Sequence, residues 1–76
     1  MFLSGSKAAT LHQIRLVDIH GTRFYDLAFA HTDTPDQLRT ARVGVDDVYP
    51  SPQPGETILV RYVMNVAVGV ERGAAE

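Results

Sequence analysis

The chain reads as all-β, and two observations carry that reading. Ile58, Val60, Tyr62, Met64, Val66, Val68 and Val70 occupy every second position of one run, the period of extended chain with one buried face. Tyr25, Leu27 and Phe29 repeat the alternation earlier, and Gly or Pro punctuation separates the runs. Five short strands in 76 residues predict a small five-stranded SH3-like barrel, with an OB-like barrel as the alternative. The OB-like plan ranks second because it places its helix between the third and fourth strands. Here the helix signal precedes the third.

In chain order, residues 1–8 are expected to form a flexible arm, residues 9–72 a single barrel domain and residues 73–76 a disordered tail. Over residues 10–19 the apolar set moves from even positions (Ile14, Leu16) to odd ones (Val17, Ile19), which predicts a β-bulge near Leu16 and Val17. His20-Gly21 then suits a two-residue primed turn, because glycine tolerates the left-handed conformation its second position requires. The following strand, residues 22–30, puts Tyr25, Leu27 and Phe29 toward the core and Phe24, Ala28 and Ala30 on the opposite face. Thr34-Pro35-Asp36-Gln37 has the order of a helix start, namely cap, proline, acid and reciprocal cap, and predicts one short helical turn near residues 35–39.

Residues 39–45 return to alternation with Ala41, Val43 and Val45 inward, giving a third strand. Pro50, Pro52 and Pro54 fix φ and remove three donors, as a stiff connection outside a sheet requires. The phrase Pro54-Gly55-Glu56-Thr57-Ile58-Leu59-Val60, a turn leading into an apolar strand, resembles the general plan of SH3-like barrels. Residues 57–64 and 66–71 are two strands or one long bent strand. The even register continues across Asn65, which predicts a kink or short helical turn there and not a hairpin with a slip.

Composition narrows the function classes. A net charge of −2 gives no long-range attraction for phosphate backbones, which argues against nucleic acid as a partner. With no cysteine, disulfides, thiolate metal sites and cysteine nucleophiles are excluded. The opening residues lack a secretory pattern and no stretch approaches a membrane span, so the chain reads as soluble and cytoplasmic.

No nucleophile elbow, phosphate-cradling glycine loop or dinucleotide fingerprint occurs, and no catalytic residue, cofactor or metal site is assigned. His12, His20 and His31 are expected in turns or at the surface, His31 with Asp33 two residues on. The apolar residues left outside the core, Phe24, Ala28, Ala30, Leu59 and Val63, would form a patch that monomers seldom expose. They point to a binding or assembly module acting through protein–protein contacts, self-associating as a homodimer. The alternative is a nucleic-acid-binding or regulatory module in which Arg15, Arg23, Arg42 and Arg61 work beside Tyr25 and Tyr62.

Overall fold

The computed structural model describes residues 4–73. Five strands form one antiparallel sheet: β1 (Ser4–Ile19), β2 (Thr22–His31), β3 (Arg39–Gly44), β4 (Thr57–Val63) and β5 (Val66–Arg72), in the order β3-β2-β1-β4-β5. The sixteen-residue β1 lies at the centre and pairs with β2 along its second half and with β4 along its first. The sheet curls until its edge strands, β3 and β5, approach each other, yet they share no ladder. One parallel bridge, Val48 to Val70, ties the far end of that seam. The all-β, five-stranded reading therefore holds, but the sheet is open where the sequence suggested a barrel.

A β-bulge at His12 lets β1 serve both partners. Leu11 faces Phe29 and Gln13 faces Ala28, so His12 is the extra residue. It changes the parity of the inward set from Ala9 and Leu11 to Ile14, and without it one half of β1 would turn its apolar residues to water. This bulge replaces the one expected near Leu16 and Val17. Those residues keep register with Tyr25 and Phe24, and Leu16 is exposed because that end of the hairpin runs past the core. The connection from β3 docks on the bulge: the Leu11 amide donates to the Glu56 carbonyl (2.9 Å), and the Gly55 amide donates to the Leu11 carbonyl (2.7 Å).

The core comprises Ala9, Leu11, Leu27, Phe29, Val43, Val48, Ile58, Val60 and Val70, with Tyr25, Ala41, Tyr49 and Tyr62 packed against it. Burying side chains such as Phe29, Leu27 and Ile58 contributes roughly 1.5–3 kcal/mol each. The inward set of β2 is the one its alternation indicates.

Several local expectations are corrected. Residues 4–8, expected in a loose arm, are strand, with Ser4 opposite Val63 and Ala8 opposite Leu59; residues 1–3 lie outside the described set. No helix forms near residues 35–39. Thr34 has its side-chain oxygen buried without a hydrogen-bond partner, so it caps nothing, and the Thr34 carbonyl merely closes a turn with the Gln37 amide. The short helical turn lies at Val45–Asp47, where β3 ends one residue before the expected Val45.

At Met64-Asn65 the chain makes a hairpin, with Val63 opposite Val66 and both turn residues at positive φ (53° and 67°). A slip follows it, since Tyr62 faces Ala67 while Arg61 faces Gly69, leaving Val68 as a bulge. The inward series therefore holds for Ile58, Val60 and Tyr62, fails at the exposed Met64 and Val66, and resumes at Val70. Gly73 still bonds to the Thr57 carbonyl; residues 74–76 of the expected tail lie outside the described set. No helix among the described residues is long and apolar enough to cross a membrane.

Candidate functional site

Strand pairing sorts the polar residues onto three surfaces. The outer face of β1, β2 and β3 carries Gln13, Ala28 and Thr40 in one row and Arg15, Asp26 and Arg42 in the next. Ala28 is the smallest of these and floors a groove of about 900 Å³, with His12 and Pro54 also lining it. Arg42 grips Asp26 with two bonds, Nε to Oδ1 at 2.7 Å and Nη2 to Oδ2 at 2.9 Å, while Arg15 approaches Oδ2 at 3.5 Å. The Arg42 hydrogen bonds hold the Asp26 carboxyl below its ordinary pKa against a smaller opposing effect of burial.

At the seam's bridged end, the Tyr49 hydroxyl donates to Glu56 Oε1 (2.6 Å), which also accepts from the Gln53 amide (3.0 Å). Arg72 reaches Glu56 Oε2 at 3.6 Å and lies 4.9 Å from the Tyr49 ring centroid. Burial first, and the Glu56 bond second, push the Tyr49 hydroxyl up to about 12. This cluster fixes the long connection against β5.

The third surface is the end of the sheet formed by the β4–β5 hairpin, the first residues of β1 and the link from β2 to β3. His31 is buried there, 5% exposed, with its Nε2 2.7 Å from the Tyr62 hydroxyl and its ring edge-on to Tyr62. Burial is the main cause that depresses the His31 pKa, Arg39 and Lys7 adding to it and Asp33 opposing. Lys7 meets Asp33 at 2.8 Å. Just beyond, Val63, Met64 and Val66 stand 49%, 69% and 60% exposed around the hairpin turn, and Leu38 is exposed too. From Tyr62 to Val70 the chain has no charged residue.

The residues singled out from sequence fall as follows. Ala28 and Ala30 are buried within the outer face, Phe24 and Leu59 are half-buried, and Val63 is exposed. They are spread along the sheet: Phe24 sits opposite Val17 and Gly44 near the β1–β2 turn, and Val63 opposite Ser4 at the other end. Arg15 and Arg42 meet on Asp26, Arg61 pairs with Glu71 at 3.1 Å, and Arg23 stands apart opposite Asp18. Tyr25 and Tyr62 pack against the core, away from the Arg15–Arg42 row.

His31, expected at the surface, is buried. Sequence reasoning also passed over Met64 and Arg39. Val63-Met64-Asn65-Val66 has the length of a two-residue turn with a turn-forming asparagine, but the even apolar series running through it concealed that signal. Among the described residues, no group of three or more His, Cys, Asp or Glu is placed to hold a metal ion. No protein-family model matches the chain, and neither a curated protein nor a solved structure matches it.

Proposed function

We propose that the chain is a binding module acting through protein–protein contacts, and that it associates with a second copy of itself through the β4–β5 hairpin end. The observation that carries this reading is Met64. It occupies a left-handed turn position (φ 53°), where a residue with a long side chain is strained, and it holds that side chain 69% exposed. Neither turn chemistry nor solubility favours methionine there; an apolar contact does. Val63 and Val66, opposite each other at the turn, extend the surface on either side.

A second copy suits this surface because the hairpin tip, residues 62–70, carries no charge. Two molecules of net charge −2 approach with least repulsion at a neutral apolar tip, and a two-fold axis lays each tip on the other. The patch is small, so the association is weak, worth about 4–6 kcal/mol, with dissociation constants of roughly 0.05–1 mM. Sedimentation velocity across that concentration range tests the reading. Wild type should show a dimer fraction that grows with concentration, and Val63→Lys and Val66→Lys should stay monomeric with unchanged circular dichroism. A wild type monomeric throughout, or variants that associate equally well, would refute it.

A further inference from the structure

We infer that the open seam between β3 and β5 is a binding site for a small organic carboxylate with an apolar body, Arg39 receiving the carboxylate. The site goes beyond the self-association proposed above and does not require it.

The seam exists because β3 and β5 share no ladder; among the described residues a bridge from Val48, beyond the end of β3, to Val70 closes one end. At the other end a cavity of about 360 Å³ opens between the start of β3 and the start of β5. Its apolar walls are Phe29, Ala41, Val66 and Ala67, with Tyr62 also lining it. Phe29 is a core residue, 1% exposed, so the cavity reaches down to the interior. A volume of this size is at the lower end of the range for small-molecule sites, which are commonly apolar with few polar groups.

The polar groups here have one sign. Arg39 and Arg42 line the cavity together with Thr40, Asn65 and Tyr62, and no acid does. The outer groove, by contrast, contains Asp26, and the hollow at the bridged end of the seam contains Asp46, Asp47 and Glu71. Arg42 is already engaged by Asp26. Arg39, like Arg23 far from this cavity, forms no ion pair among the described residues and makes a long bond to the Gln37 side chain (3.4 Å), whereas Lys7, Arg15, Arg61 and Arg72 each meet a carboxylate. It lines the cavity beside Tyr62, and its charge acts on both His31 and Tyr62. A guanidinium without an ion-pair partner among the described residues, beside a partly apolar hollow, matches an amphiphilic anion: the carboxylate takes the fork of donors and the hydrocarbon fills the space that strand pairing leaves.

The test is a titration followed by amide NMR with benzoate and hexanoate, at a protein concentration low enough to be monomeric by sedimentation. Benzamide and hexanamide are the uncharged controls. The expected result is saturable shifts at Phe29, Ala41, Tyr62 and Ala67, weakened at least tenfold in Arg39→Gln and in the amide controls but unchanged in Arg23→Gln. The absence of saturable shifts, equal binding of the amides, or shifts confined to the outer groove around Ala28 would overturn the assignment. Because the measurement is made on the monomer, its failure leaves the self-association reading untouched, and the reverse holds as well.

Discussion

His31 shows most clearly how position decides what a residue does. Its neighbour on β1 is the small Ala9, Phe29 and Tyr62 pack against the ring, and burial there disfavours the charged imidazole. Charging it would place a cation in a desolvated site already facing Lys7 and Arg39, with Asp33 as the one opposing charge. The folded-state pKa therefore lies below the ordinary 6.5 of the unfolded chain, and in the interval between them the unfolded chain binds more protons. Stability should accordingly fall as pH drops through the unfolded value, with no further loss from this group below the folded one. Asp26, Asp33 and Glu56 act with the same sign in a lower window, because their depressed pKa values give stability that is lost only as pH falls below their unfolded values of 3.8–4.5. Urea unfolding between pH 7.5 and 5 isolates the histidine: His31→Gln should flatten the decline seen in wild type, and an unchanged slope would contradict this account. None of this was legible beforehand, since a histidine at the end of a strand gives no sign of whether a tyrosine 31 positions away will cover it.

Among the elements, strands were read better than the joints between them. The inward faces of β2 and β4 follow from alternation alone, because Leu27, Phe29, Ile58 and Val60 have no alternative burial that keeps their neighbours solvated. The first hairpin was equally plain: His20 and Gly21 both take positive φ, and Asp18 accepts a bond from the Gly21 amide at 2.9 Å. Joints set by long-range pairing were not readable. The bulge at His12 is fixed by β1 serving two partners and by the docking of residues 55 and 56, neither of which a local window contains. The helix signal at Thr34 lost because only one apolar residue, Leu38, followed to anchor it, and Leu38 is exposed.

The second hairpin allows a sharper test of its own. Met64→Asn places a residue that tolerates φ near 53° at the strained position, so it should stabilise the fold by about 0.5–1 kcal/mol. The same change removes the apolar tip and should weaken self-association at least fivefold, measured by sedimentation beside thermal unfolding. Opposite signs for the two effects identify a residue kept for contact. Loss of stability would mean that the methionine serves the fold.

At the scale of the whole molecule, many of the charged side chains on the described surface are held in ion pairs. Asp26 with Arg15 and Arg42, Glu71 with Arg61, Glu56 with Arg72 and Asp33 with Lys7 neutralise one another locally, and each exposed pair contributes little to stability. Residues 62–70 at the β4–β5 tip carry no charge, so covering that tip removes no ion from water. The overall class of the molecule was visible in composition and alternation. The exposed turn residues were not, because they depend on which of seven alternating apolar residues the turn at Met64 and Asn65 carries out of the core.

The most direct check is the set of amide chemical shifts on dilution from about 1 mM to 0.02 mM, a span over which a weak dimer of this strength separates. The account predicts that Val63, Met64, Asn65 and Val66 move with concentration while residues around the His20-Gly21 turn stay fixed. Shifts independent of concentration, or changes that map to Phe24 and Ala28 with the hairpin unaffected, would contradict it.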